Sequence, residues 1–249
     1  MRVRFRFVKL GKVRWTSHRD LARMWERALR RAQLPVTYTG GFTPRPKVAF
    51  GLALPTGHES LAEYLDVEFD ADRVEAQPLD VAGLPSLLSS VLPAGVDVTA
   101  AAEIERAESL QAEVTSCTWE IEAIGLGPSE VRQRAAQALA ADSLVVTRQR
   151  KGSMVTDDVR PAIESVTVVG DPPCIALGYV DHAPGALMVV DLATQTRNLR
   201  PAEFLAALDP SLTEGHVRRT HQWITRDGAR REPLPLDATD APPAERRAS

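Results

Sequence analysis

Residues 2–10, RVRFRFVKL, alternate cation and apolar residue, and from residue 18 the apolar spacing lengthens to that of a helix. A half-buried strand feeding an amphipathic helix needs layers, sheet against helix, to bury both apolar faces. Val3, Phe5 and Phe7, with Leu10 at the end, are expected to face a core. Arg2, Arg4, Arg6 and Lys9 are expected to face water. Gly11 and Lys12 turn the chain, and Ser17 fits an N-cap with Asp20 three residues on as a capping-box partner. The helix is expected from His18 to Gln33, stopping before Pro35. At 100° per residue, Leu21, Met24, Trp25, Ala28, Leu29 and Ala32 share one arc, and Arg19, Asp20, Arg23, Arg27, Arg30 and Arg31 share the other.

The period then changes again. KVAFGLALP (47–55) and LAEYLDVEFD (61–70) read as strands, LPSLLSSVLP (84–93) as a helix, and GVDVTAAAEIE (95–105) starts as a strand. Strand, helix, strand, strand, helix, strand is the ferredoxin-like βαββαβ order, an antiparallel sheet with helices on one face. The second half repeats that order more loosely. Strands are expected over 114–125, 143–150, in AIESVTVVG, in CIALGYV, over 186–193 and over 216–225. Helices are expected over 128–141 and 201–208, the latter with Pro201 at its first position. The fold class is therefore α+β, two tandem ferredoxin-like units: a first lobe over 1–112 and a second over 113–228 with an insertion. Residues 229–249 are rich in Pro, Ala and charge, and are expected to be disordered.

Charge is segregated along the chain. Residues 1–50 hold 13 Lys/Arg against 2 Asp/Glu, while residues 51–249 hold 17 against 31, for a net charge of −3. A basic end on an acidic body points to a polyanionic partner. The cations are 26 Arg and 4 Lys. The guanidinium fork suits bidentate phosphate contact better than the point charge of Lys. No apolar run is long enough to span a bilayer, and the N-terminus lacks the apolar stretch of a signal peptide. The expected location is the cytoplasm, with no membrane partner. Cys117 and Cys174 are too few for a disulfide framework or a zinc site, so no metal is expected, and both fit strand interiors.

The strongest candidate site is the helix stripe formed by Arg23, Arg27, Arg30 and Arg31, with Arg19 beside it. Like charges four residues apart repel, so a face selected for stability alone would carry Glu among them. The loop YTGGFTPRPK (38–47) follows. Gly40 and Gly41 allow close approach of a ligand, Phe42 can stack on a base, and Arg45 and Lys47 can hold phosphates. Tyr38 belongs to the same candidate surface. The competing reading is a tight connection with Phe42 buried. The loop matches neither a Walker A motif nor a dinucleotide fingerprint, and no cofactor is expected. His18, in Ser-His-Arg-Asp, is a weak catalytic candidate as a general base on RNA. Secondary cleft candidates are His58, Glu59 and Ser60 between two strands, and Lys151, Asp158 and Arg160 near a turn.

The stretch SHRDLARMWERALRRAQLPVTYTGGFTPRPKVAFGLALPTGHES, joined to EYLDVEF, resembles the DUF2344 family of radical SAM-associated proteins. The resemblance lies in Ser17-His18-Arg19-Asp20, Arg27-Ala28-Leu29-Arg30-Arg31-Ala32, Tyr38-Thr39-Gly40-Gly41-Phe42-Thr43-Pro44 and Gly57-His58-Glu59-Ser60. TDDVRP is also similar to the family pattern, and Thr39 stands where Ser is usual. The resemblance implies association with a B12-binding radical SAM protein. This chain has no C-x3-C-x2-C motif and cannot hold a [4Fe–4S] cluster, so it would be an accessory rather than the radical enzyme. Charge and resemblance together predict a protein that presents structured RNA, tRNA or ribosomal RNA, to that partner. Two alternatives stay open: a metal-independent RNA endonuclease using His18, and a module docking on an acidic face of the radical SAM partner.

Overall fold

The computed structural model describes residues 1–104, 109–150, 152–172, 183–195 and 198–234. The protein is α+β, with antiparallel sheets and helices in each of two compact units. One unit comprises Met1–Val114 and Ile224–Ser249, the other Thr115–Trp223. The chain thus leaves the first unit after Val114 and returns to it at Ile224, a crossing that local periodicity does not record. Among the described residues no helix is long and apolar enough to cross a membrane.

The first unit runs β1 (Arg2–Lys9), α1 (His18–Arg31), β2 (Val48–Phe50), β3 (Glu59–Glu68), α2 (Ala71–Ala76), α3 (Leu84–Val91), β4 (Val96–Glu103) and α4 (Leu110–Glu113). Its strands lie in the order β4-β1-β3-β2, every pair antiparallel. Val3 and Phe5 of β1 stand opposite Val67 and Leu65 of β3, and their side chains join Leu21, Trp25, Leu29, Leu84 and Leu88 in one core. Trp25 contacts Phe5 and Phe7, with ring centroids 5.9 and 5.0 Å away. That buried indole fixes how α1 is rotated about its axis. α2 has no counterpart in the sequence reading; the Asp70 carboxylate caps it by accepting from the Arg73 N–H at 3.2 Å. β2 is shorter than the expected strand over 47–55.

The face of β1 expected to meet water is buried. Arg4 donates to Asp66 through Nε at 2.8 Å and Nη2 at 3.0 Å, with side-chain exposures of 4% and 3%. Glu113 of α4 lies 3.5 Å from Arg4 and also accepts from Arg226 at 3.0 Å. Arg6 donates to the Tyr64 hydroxyl at 3.2 Å and to Glu232 at 3.1 Å. Burial holds the Tyr64 hydroxyl well above the usual tyrosine pKa. Lys9 is buried by a different route. The β1–β3 register shifts between Phe7 and Lys9, and the ammonium donates to the carbonyls of Arg14 at 3.3 Å and Thr16 at 3.0 Å. Arg4, Arg6 and Lys9 are therefore interior residues, and only Arg2 of the four keeps partial exposure.

The cover for this face comes from distant segments. Leu110 of α4 packs with Ala62 and Tyr64, and Leu234 packs against the same cluster. Residues 229–231, expected to begin a disordered tail, instead form β11 (Ala229–Arg231), antiparallel to the end of β10 (Thr213–Arg226). A tight turn with Asp227 and Gly228 at positive φ allows that reversal. The remainder of the expected tail, 235–249, lies outside the described residues.

The second unit runs β5 (Ser116–Ile124), α5 (Pro128–Ala140), β6 (Val145–Arg150), β7 (Ser153–Asp158), β8 (Ile163–Gly170), β9 (Gly185–Ala193), α6 (Pro201–Leu208) and then β10. Its sheet order is β10-β5-β9-β8, again antiparallel throughout. β6 and β7 form a separate two-stranded ribbon, so 143–150 is not part of the main sheet. Cys117 is buried in β5. Cys174, with the strand expected in CIALGYV, lies outside the described residues.

Candidate nucleic-acid interface

The arginine stripe rests on a well-anchored helix. The Ser17 hydroxyl oxygen accepts from the Asp20 N–H at 3.2 Å, and the Ser17 hydroxyl donates to the Asp20 carboxylate at 2.7 Å. That last bond is the main reason the Asp20 carboxyl sits below its ordinary range, with Arg23 and Arg19 adding to it. With Leu21, Trp25, Ala28 and Leu29 turned inward, Arg19, Arg23, Arg27, Arg30 and Arg31 all stand in water. Arg23 is tied to Asp20 at 3.1 Å by an exposed ion pair of the weak surface kind. Arg27, Arg30 and Arg31 have no carboxylate within ion-pair distance among the described residues. Met24, Arg27 and Arg31 line a groove of about 290 Å³ with Val91, Leu92 and Pro93.

Residues 37–47 form a projecting hairpin arm. The Lys47 N–H donates to the Thr37 carbonyl and the Thr39 N–H to the Arg45 carbonyl, each at 2.8 Å, and the Arg45 N–H donates to the Thr39 hydroxyl at 3.1 Å. Tyr38 and Pro46 face each other across it. Gly41, at φ +103°, takes the left-handed turn at its tip, where a side chain would strain the backbone. Phe42 beside it is fully exposed, so the reading that buried it fails. Tyr38, Gly40 and Arg45 are exposed too, and Lys47, also exposed, pairs with Glu68 at 3.0 Å.

The secondary candidates are committed elsewhere. His58, Glu59 and Ser60 are buried rather than set around an open cleft. Glu59 accepts from the Gly11 N–H at 2.7 Å and from Arg14 at 3.4 Å. The Ser60 hydroxyl accepts from the Ala62 N–H at 3.1 Å. Asp158 accepts from the N–H groups of Leu144 at 2.8 Å and Arg160 at 3.0 Å, which lowers its carboxyl pKa. The Arg160 guanidinium donates to the carbonyls of Ile163 at 2.9 Å and Leu139 at 2.8 Å. Lys151 lies outside the described residues. His18 is exposed at the first position of α1, its ring edge-on to Phe50 at 5.1 Å. It has no hydrogen-bond partner among the described residues, so nothing there orients it as a base.

One exposed aromatic of the first unit escaped the sequence reading. Trp15 is 64% exposed, and the Arg14 guanidinium lies 5.3 Å from its ring centroid. The signal was present in GKVRW: a Trp preceded by two cations and outside both the strand and the helix periodicity.

A family model described as "Uncharacterized protein conserved in bacteria (DUF2344)" matches residues 2–201. No curated protein matches the chain. Among solved structures, the chain is similar to one in a Cbf5–Nop10–Gar1 complex, with a TM-score of 0.45, 10% identity, and 88% of this chain and 49% of that chain covered. A structure of an H/ACA RNP bound to a substrate RNA containing 2'-deoxyuridine gives 0.43 at 9% identity, covering 88% and 47%. An archaeal box H/ACA sRNP Nop10–Cbf5 complex gives 0.44 at 8% identity, covering 88% and 47%. The chain spans about half the length of these matched chains.

Proposed function

The chain belongs to the DUF2344 family, described as uncharacterized protein conserved in bacteria, and from that premise we propose that its first unit binds structured RNA, a tRNA or ribosomal RNA. The observation that carries this reading is the set of exposed arginines Arg27, Arg30 and Arg31, which have no carboxylate partner among the described residues, on the same unit as an arm tipped by the exposed Phe42. Guanidinium groups without internal partners are available to phosphates, and an aromatic in water is available to a base. Arg19, Arg23, Arg45 and Lys47 extend the positive surface, and Tyr38 and His18 add polar contacts. The strand orders β4-β1-β3-β2 and β10-β5-β9-β8 support reading the chain as two ferredoxin-like units, the β6–β7 ribbon being the insertion in the second. The resemblance to radical SAM-associated proteins supports a radical SAM enzyme as the partner to which the RNA is presented.

The test is RNA binding by fluorescence anisotropy across a salt series, wild type beside Arg27→Glu/Arg30→Glu/Arg31→Glu. Each lost phosphate contact should lower the slope of log K against log salt by about 0.7 to 0.9. Wild type that fails to bind tRNA or ribosomal RNA fragments at low salt overturns the proposal. A second reading has α1 dock on an acidic face of the radical SAM protein. The groove lined by Met24, Val91, Leu92 and Pro93 together with Arg27 and Arg31 favours it. Co-purification with the partner that the triple reversal abolishes, without RNA affinity in wild type, selects that reading.

A further inference from the structure

We propose that Trp15 is a base-stacking platform, so that the RNA taken by the first unit carries unpaired bases, as a single strand or a loop, rather than being an uninterrupted duplex. The inference rests on the RNA-binding reading above and narrows it to a substrate class.

Trp15 is the largest of the apolar side chains left in water, and its exposure has a structural cause. It ends a short 3-10 turn, Gly11–Trp15, that is pinned from three sides. The Gly11 N–H donates to Glu59 at 2.7 Å, the Gly57 N–H donates to the Arg14 carbonyl at 2.8 Å, and the buried Lys9 ammonium holds the carbonyls of Arg14 and Thr16 at 3.3 and 3.0 Å. The indole is therefore presented by a fixed turn, not by a loose segment that could fold it away. Its benzo ring rests against Gly57, which lies at φ +93° and where a Cβ would stand only 2.9 Å from the ring. The Arg14 guanidinium, which also donates to Glu59 at 3.4 Å, lies over the ring, 5.3 Å from its centroid. A fixed, largely exposed aromatic is the chemistry that stacks with a nucleobase, the phosphates being left to the arginines of α1.

The placement along the fold gives the second half of the argument. α1 has fourteen residues and is about 20 Å long. Trp15 stands just before its N-cap, Ser17, and the arm that carries Phe42 leaves after its last turn. The arginine stripe thus has an exposed aromatic following on from each end. A duplex keeps its bases stacked on one another and offers an exposed ring only phosphates and groove edges. Unpaired bases can swing out onto aromatic side chains while the backbone follows the arginines.

The experiment uses the full-length chain, an RNA single strand, the perfect duplex of that strand, and the strand with abasic sugars at several positions. Affinity is read by anisotropy, and acrylamide quenching reports the accessibility of the exposed indole. Wild type should bind the single strand more tightly than the duplex, and bound RNA should shield the indole. Trp15→Ala should weaken single-strand binding by roughly 5- to 150-fold, the range for one stacked base, with an unchanged salt slope. Trp15→Phe should recover most of that loss, and the abasic strand should bind wild type and Trp15→Ala alike. Equal binding of strand and duplex, with Trp15→Ala at wild-type affinity while the Arg27/Arg30/Arg31 reversal still abolishes binding, overturns the stacking assignment and leaves the RNA reading standing. No binding of either RNA by wild type at low salt overturns both.

Discussion

Asp66→Asn tests the buried charge network behind β1. The substitution keeps the shape and removes the charge that Arg4 holds through two hydrogen bonds of 2.8 and 3.0 Å. Both side chains are almost fully buried, so the guanidinium cannot recover its loss from water. Removing one partner of a buried pair generally costs about 3–5 kcal/mol. Glu113, 3.5 Å from Arg4, remains as a counter-charge and places the expected cost at the low end, about 3 kcal/mol. That corresponds to a fall of roughly 6–12 °C in Tm for a chain of this size. Urea and thermal unfolding followed by circular dichroism read the change. The double variant Asp66→Asn/Glu113→Gln should lose more than the sum of its parts, because the second substitution removes the remaining compensation. The triple variant Arg4→Met/Asp66→Leu/Glu113→Gln should regain much of the stability, since it replaces the buried pair by apolar groups of similar volume and leaves no carboxylate of Glu113 facing the lost guanidinium. Asp66→Asn within about 0.5 kcal/mol of wild type would refute the reasoning, because that is the range of an ordinary surface substitution.

Four further outcomes are expected. Glu232→Ala, which removes the acceptor shared by Arg6 and Tyr64, should destabilise the protein by about 1.5–3 kcal/mol in urea unfolding. Gly95→Ala should lower Tm, because Gly95 sits at φ +89° and a Cβ there would stand 2.3 Å from the Leu10 carbonyl oxygen. Phe42→Ala should leave Tm unchanged, as the ring is fully exposed, and should weaken RNA binding by about 1–3 kcal/mol in the anisotropy titration. Asp158 has its carboxyl pKa lowered on folding, so its ionised form contributes stability above the ordinary value of 3.8, and that contribution is lost as pH falls through the lowered folded value. Asp158→Asn should therefore be less stable than wild type near neutral pH, with the gap closing in acid unfolding measured below pH 3.8.

Much of the first unit was legible because its signals are local. The switch from a two-residue period to a helical one, the Ser17 N-cap and the apolar arc around Trp25 placed β1 and α1 and turned the arginines outward. The candidate stripe followed from the same arc. Phe42 was legible only as a choice between a buried and an exposed ring, since GGFTP permits either. The hairpin bonds between Thr37–Thr39 and Arg45–Lys47 decide it, by carrying the tip away from the core. Trp15 was missed because it belongs to no periodic segment. His58, Glu59 and Ser60 were misplaced because a polar run between two strands looks like a loop, whereas Glu59 already begins β3 and turns inward to the Gly11 N–H.

The sequence by itself determined which residues of β1 share a face, since a strand alternates whatever surrounds it. It also determined the rotation and charge of α1 and the early concentration of positive charge. It did not determine what lies against the second face of the sheet. Arg4 and Arg6 alternate with apolar residues as solvent-facing cations do, yet Asp66, Glu113 and Glu232 neutralise them inside the protein. Those carboxylates arrive from positions 62 to 226 residues away along the chain. Periodicity measures only neighbours within a few positions. Whether a cation is exposed depends on which distant carboxylate the fold delivers to it, and that only the tertiary structure decided.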